Sequence, residues 1–128
     1  MRAVDTNILV RLIARDDERQ AAAAERYIRD GAWASSLAVA ETVWVLKTYY
    51  RRSAEQLIRA LEILLQHRHL VLQDSEAVAA ALALFRSKPS LGFSDCLILE
   101  LARRAGHLPL GTFDRALGKV DGAQRLSA

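Results

Sequence analysis

The alternation of long helix-like segments with very short apolar segments most constrains what this chain can fold into. Apolar residues recur at helical spacing in most of the chain, and about five strand-like runs interrupt them: RAV, AWASS, HLVLQD, LPLGTFD and QRLS. Parallel strands need helical crossovers between them, so this alternation predicts an α/β fold. We expect a short central parallel sheet of about five strands, flanked by helices on both faces.

Local signals set the helix boundaries. Ser53 and Gln56 form a predicted capping box, so residues from about 37 to 67 should make two helices that are joined near Arg51 and Arg52. One later helix should stop before Pro89, and the next should end at Gly106; ALGKV should then form a helical turn before an edge strand at QRLS.

Length and composition indicate one domain over residues 1–128. A chain of 128 residues can bury a real core but is short for two domains. Its apolar runs are broken by charges and no secretory signal pattern opens the chain, so we expect a cytoplasmic protein with no membrane segment. The single cysteine, Cys96, rules out an internal disulfide and is expected to be a small buried thiol.

Two acids follow predicted strands, where a parallel sheet places its ligand site. Asp5 follows the strand Arg2–Val4 in AVDTNIL, and Asp114 follows the strand in GTFD. Ligands of open α/β sheets bind beyond the carboxyl ends of the strands. The alternative for Asp5 is a helix N-cap, because its carboxylate can accept from the free N–H groups of the next helix.

Two further acids lie among apolar residues. Glu41 has Ala38, Trp44 and Val45 three or four positions away, so we expect it to share an apolar helix face and to need a partner.

Asp95 is expected to start a buried stripe made by Ile98, Leu99 and Ala102, although an acid there could also complement the helix dipole. Glu100, by contrast, is expected to face solvent and to pair with the neighbouring arginines, Arg103 and Arg104.

Several acids at one sheet edge would repel, and a divalent cation would resolve that repulsion. Carboxylate oxygens favour Mg²⁺ or Mn²⁺, and the three histidines (His67, His69 and His107) are expected to lie outside the site. Aspartates with such an ion suit phosphodiester hydrolysis, with Thr6 and Asn7 as hydrogen-bonding support. Setting four of the 15 acids aside leaves eleven against 18 bases, a charge of +7 that would suit a polyanion.

Four motifs in order, AVDTNIL, AETVWVL, FSDCLI and GTFDRAL, resemble those of the PIN-domain ribonucleases, specifically the VapC-type toxins of toxin–antitoxin pairs. The resemblance implies a single-domain, PIN-like three-layer sandwich. It implies an acidic quartet of Asp5, Glu41, Asp95 and Asp114, supported by Thr6, Asn7 and Thr112. Asp5, Asp95 and Asp114 would bind Mg²⁺ or Mn²⁺, and Glu41 would orient water or hold a second ion. The implied partners are RNA as substrate, a cognate antitoxin and a second copy of the chain.

Two other functions remain open. A receiver-like phosphoacceptor module would use Asp74, which follows the strand in HLVLQD. A PIN domain that binds RNA or protein without catalysis is the other, because intact acids are necessary but not sufficient for activity.

The helix pair from about 37 to 67 carries a candidate partner surface. Trp44, Tyr49 and Tyr50 suggest a surface for a homodimer or an antitoxin, since interfaces are enriched in aromatic residues. The alternative is that Trp44 fills the core.

Overall fold

Three short strands organise the first part of the chain. The computed structural model describes all residues, 1–128, and divides into two compact units, Met1–Ser75 (unit 1) and Glu76–Ala128 (unit 2). Unit 1 contains the strands β1 (Arg2–Val4), β2 (Ala32–Ala34) and β3 (Leu70–Leu72), and the helices α1 (Thr6–Ala14), α2 (Glu18–Ile28), α3 (Ser36–Thr48) and α4 (Ala54–Gln66). The predicted order of elements is confirmed, while the single domain over 1–128 stays a prediction.

The three strands of unit 1 pair in parallel in the order β1-β2-β3. Ala3 is in register with Trp33, and Trp33 with Val71. Each crossover consists of two helices, α1 and α2 between the first two strands and α3 and α4 between the second two. Parallel pairing brings the carboxyl ends of all three strands to one edge of the sheet and their amino ends to the other.

Burial alternates along these strands. Val4, Ala34 and Leu72 are buried on one face, whereas Ala3, Trp33 and Val71 are exposed on the other. The second face is therefore open at its centre, although the sequence predicted helices over both. Each strand has only three residues, so a single side chain from each points to this open face.

Side-chain oxygens cap every helix of unit 1. Asp5, Asp17 and Ser35 each accept a hydrogen bond from a backbone N–H in the first turn of the helix that follows. Ser53 and Gln56 form the predicted capping box at the start of α4, with the Gln56 side chain accepting from Ser53 N–H at 2.8 Å. These caps satisfy N–H groups that have no partner inside the helix.

A charged network ties the end of α1 to the segment after α3. Arg11 Nη1 donates to Asp16 Oδ1 at 2.7 Å, and the Tyr50 hydroxyl donates to Asp16 Oδ2 at 3.0 Å. The hydrogen bond from Tyr50 and the charge of Arg11 lower the pKa of Asp16. Tyr50 is therefore engaged inside unit 1.

Unit 2 supplies the remaining helices and strands. Its elements are α5 (Ser75–Ser87, which starts at the unit boundary), α6 (Phe93–Ala105), β4 (Leu110–Thr112) and β5 (Ala123–Arg125), with short 3-10 helices at Pro89–Leu91 and Leu117–Lys119. The predicted helical turn and strand of the tail are confirmed, and β4 pairs in parallel with β5. The α/β fold class is confirmed, and the five strands form one three-stranded and one two-stranded sheet. None of the helices has the length and hydrophobicity needed to cross a lipid bilayer.

The burial of Glu100 contradicts the sequence-based prediction for this residue. It was expected in solvent, but the structure buries it to 9% exposure. The buried stripe of α6 includes Phe93, Cys96 and Leu97, and Glu100 continues that stripe at helical spacing. Its Oε2 accepts from Arg103 Nε at 3.3 Å, which keeps the carboxylate paired.

The other arginine of that predicted pairing, Arg104, contacts Glu76 at 2.9 Å instead. Cys96 is fully buried, as predicted, and burial raises the pKa of its thiol to about 11, so it stays a protonated packing group.

Removing the capping box should destabilise the protein measurably. We expect Ser53→Ala to lower the free energy of unfolding by about 1 kcal/mol, because the N–H groups at the start of α4 lose their acceptor. Ser90→Ala is the control, since the exposed Ser90 makes no such contact. Urea unfolding followed by circular dichroism measures both, and equal stability of the two variants would contradict the role of the cap.

Candidate functional site

Asp5 lies between the end of β1 and the start of α1. Val4 ends the strand as a buried residue, and Asp5 is exposed at the carboxyl edge of the three-stranded sheet. Its Oδ1 accepts from Ile8 N–H at 3.3 Å, so Asp5 is the N-cap of α1. Its Oδ2 accepts no hydrogen bond in the structure. The cap therefore engages one oxygen of Asp5 and leaves the other available for a ligand.

Glu41 is brought next to the start of α1 by the packing of α1 against α3. The Thr6 hydroxyl lies 3.4 Å from Glu41 Oε1, a long hydrogen bond in which Thr6 donates. Asp5, Thr6 and Glu41 thus belong to one local group in unit 1. Asn7, the third residue of the DTN motif, is exposed and makes no side-chain hydrogen bond.

The surroundings of Glu41 differ from the prediction. Trp44 is 61% exposed and Glu41 itself is exposed. The prediction that Glu41 lies on an apolar helix face is therefore wrong. The buried residues of α3 are Ala38, Val39, Thr42, Val43 and Leu46. Glu41 and Trp44 lie beside this stripe, and burial does not force Glu41 to find a partner.

Unit 2 brings Asp95 and Asp114 close together. Asp95 is the third residue of α6 and Asp114 lies just after β4. Burial raises the pKa of Asp95, and the negative charge of Asp114 raises it further. Of the residues expected to be buried after Asp95, Leu99 is buried as predicted, but Ile98 is 52% exposed.

The loop that carries Asp114 is held by two hydrogen bonds. Asp114 N–H donates to Thr112 Oγ1 at 3.0 Å, and Asp114 Oδ2 accepts from Leu117 N–H at 2.7 Å. Thr112 therefore contacts the acid that the resemblance implies it supports. The second oxygen, Oδ1, accepts no hydrogen bond from the protein.

The predicted site residues thus form two local groups, Asp5 with Thr6 and Glu41 in unit 1, and Asp95 with Thr112 and Asp114 in unit 2. No cluster of three or more acidic, histidine or cysteine side chains is close enough to hold a metal ion. The donor atoms of both groups are oxygens only, and this donor set fits a hard divalent ion such as Mg²⁺ or Mn²⁺.

Tyr27 is a neighbour of Asp5 that the sequence analysis missed. A cavity of about 320 Å³ beside Asp5 is lined by Ala3, Val4, Asp5, Ile8 and Tyr27. The Arg2 guanidinium lies 3.8 Å from the centre of the Tyr27 ring and covers one of its faces. An exposed tyrosine in the otherwise alanine-rich and charged helix α2 was the available signal.

Comparison with known proteins identifies the family. The family model of the PIN domain matches residues 2–123, and no curated protein or solved structure matches the chain. PIN domains are generally nucleases that use divalent metals such as Mg²⁺ or Mn²⁺. Since the match covers nearly the whole sequence, the chain belongs to the PIN domain family.

Proposed function

We propose that this protein is a metal-dependent endoribonuclease and the toxin of a toxin–antitoxin pair, with Asp5, Glu41, Asp95 and Asp114 as its catalytic acids. The observation that carries the proposal is the position of Asp114 beside Asp95: burial raises the pKa of Asp95, and the negative charge of Asp114 raises it further. Two neighbouring carboxylates repel each other, and a cation bound between them would relieve that repulsion. The PIN family match gives the chemistry that such a cation serves.

The proposed roles rest on the family match, and the contacts of Glu41 support its part. Asp5, Asp95 and Asp114 would hold Mg²⁺ or Mn²⁺ through carboxylate oxygens. A bound ion supplies the polarisation of a phosphoryl oxygen and lowers the pKa of water. Thr6 holds Glu41 Oε1, which leaves the other oxygen of Glu41 free to accept from an attacking water or to help hold a second ion.

The proposed partners are an RNA substrate, a cognate antitoxin and a second copy of the chain in a cytoplasmic setting. Trp44 is 61% exposed and Tyr49 is 84% exposed, so the alternative that Trp44 fills the core is wrong. Both side chains are available to a homodimer or an antitoxin. Tyr50 instead bonds to Asp16 and contributes less to such a surface.

The receiver-like alternative is not supported by the topology. A flavodoxin-like sheet has its first strand between the second and the third, whereas here β2 lies between β1 and β3. Asp74 is an exposed residue with a positive φ of 49°. A catalytically inactive PIN domain is the remaining alternative, and the activity experiment below distinguishes it.

Metal binding should depend on acids from both units. We expect Asp5→Asn and Asp95→Asn each to weaken Mn²⁺ binding in a calorimetric titration, because each loses a charged oxygen ligand. Asp74→Asn is the matched control, since asparagine tolerates the same left-handed backbone. Glu100 is unsuitable as a control because it is buried. Unchanged Mn²⁺ affinity in both site variants would refute the assignment of the site.

Ribonuclease activity should require the same acids. We expect Asp5→Asn, Glu41→Gln and Asp95→Asn each to lower the cleavage rate about a hundredfold or more, given that ~1.4 kcal/mol of barrier is tenfold in rate. Asp74→Asn should cleave like the wild type. Growth and mapping of RNA ends after induction, in a host without the antitoxin, measure this.

The double variant Asp5→Asn with Asp95→Asn tests whether the two units serve one reaction. Residues that act together give non-additive losses, so the double variant should be little worse than either single one. A wild-type protein that produces no new RNA ends would support the inactive alternative instead.

The raised pKa of Asp95, caused by burial and by the charge of Asp114, should also appear in the pH dependence of stability without metal. The raised pKa means that the folded state favours protonated Asp95, so the ionised form costs stability as pH rises above about 4. We therefore expect Asp95→Asn to gain stability relative to the wild type between pH 4 and pH 7. Thermal melts in EDTA test this, with the exposed Asp30→Asn as control. A difference in Tm that stays constant with pH would contradict the raised pKa of Asp95.

A further inference from the structure

A second cavity lies at the other edge of the three-stranded sheet. It has a volume of about 470 Å³ and is lined by Glu25, Ile28, Arg29, His67, Arg68 and His69. These residues lie at the end of α2 and in the segments that lead into β2 and β3, whereas Asp5 follows β1. The cavity is thus at the amino edge of the sheet, away from the acids of unit 1. Its volume is within the range of small-molecule sites.

The charge of this cavity is positive and uncompensated. Arg29 and Arg68 are both exposed, and neither makes an ion pair or a side-chain hydrogen bond in the structure. The only acid in the lining, Glu25, is already bound to Arg15 at 2.7 Å. Two guanidinium groups therefore face the cavity region without a carboxylate partner, which is the arrangement expected for an anion site.

His67 adds an oriented hydrogen-bond donor. Its Nδ1 accepts from His69 N–H at 3.1 Å, so the hydrogen of the neutral ring is on Nε2. Burial, and then the neighbouring His69, lower the pKa of His67, while the smaller effect of the Glu25 charge is in the opposite direction. At neutral pH, His67 thus lines the cavity as an uncharged ring with one N–H group to donate.

Backbone contacts hold both lining segments in place. Leu70 N–H donates to His67 O at 3.2 Å, and Ala32 N–H donates to His69 O at 2.9 Å, which joins the histidine segment to β2. On the other side, Gly31 has a positive φ of 96° and donates to Ile28 O at 2.8 Å. This turn fixes the backbone at Arg29, so the positions from which the arginine side chains extend are set before any ligand binds.

We propose that this cavity binds a phosphate group, carried either by a free nucleotide or by an RNA backbone. Arginine guanidinium groups match phosphate oxygens with paired N–H donors, and phosphate contacts come mainly from arginine, lysine and other N–H donors. Arg29, Arg68 and His67 supply such groups. The proposal involves none of the proposed catalytic acids, so it can be tested independently of the nuclease function.

The experiment measures binding in EDTA, so that cleavage cannot contribute. The probes are ADP, followed by calorimetry, and a short fluorescein-labelled single-stranded RNA, followed by anisotropy. The test variant is Arg29→Gln with Arg68→Gln. The control is Arg19→Gln with Arg26→Gln, which removes the same charge from exposed positions of α2 outside the cavity lining.

We expect the test variant to bind at least one probe about tenfold more weakly than the control variant does, because it loses charge-assisted hydrogen bonds. A loss of ADP binding assigns the site to free nucleotides, and a loss confined to RNA assigns it to the backbone. Equal weakening in both variants overturns the proposal, since it would reflect net charge alone. Wild-type protein that binds neither probe, or that binds an oligoglutamate peptide as tightly as ADP, also overturns it.

Discussion

Parallel pairing of β1, β2 and β3 is the constraint on which unit 1 depends. Each strand has three residues, and parallel pairing sends the chain back through a pair of helices before the next strand can begin. Residues that follow a strand therefore gather at one edge of the sheet, and residues that precede a strand gather at the other. Asp5 and the cationic cavity with Arg29 and His67 owe their separate locations to this rule.

The two interpretations of Asp5, helix cap and functional acid, are compatible. Its Oδ1 caps α1 through Ile8 N–H, and this contact alone would explain an acid at that position. The same contact orients the side chain at the carboxyl edge of the sheet. Asparagine is as good an N-cap as aspartate, so Asp5→Asn changes the charge and largely spares the helix. The position therefore allows fold and chemistry to be separated experimentally.

Local signals predicted most of the fold. The capping box at Ser53, the stop before Pro89 and the glycine at Gly106 depend on a few neighbouring residues, and the structure confirms all three. The pairing of β4 with β5 as a separate two-stranded sheet depends on contacts between distant residues, which periodicity does not contain.

The errors in the candidate site have a common cause. Ile98 was expected to be buried one turn after Asp95, and Glu41 was expected to share an apolar helix face with Trp44, but both Ile98 and Trp44 are exposed. A helix turns about 100° per residue, so positions three and four away lie on opposite sides of a reference residue. Because the buried stripe of each helix was located by counting residues from Glu41 or Asp95, it was placed on the wrong side of the helix. Counting along α6 from Phe93 would have placed Glu100 correctly in the interior.

The hydrogen bonds of the acids have a consequence for the entropy of the proposed ion binding. Asp5, Glu41 and Asp114 each have one carboxylate oxygen engaged, by Ile8 N–H, by the Thr6 hydroxyl and by Leu117 N–H. A carboxylate tethered in this way offers a single free oxygen and has already lost part of its rotamer freedom. Ordering these side chains around a ligand therefore costs less conformational entropy than ordering three free acids. Variants that cut a tether, such as Thr6→Val, would restore that freedom while leaving every charge in place.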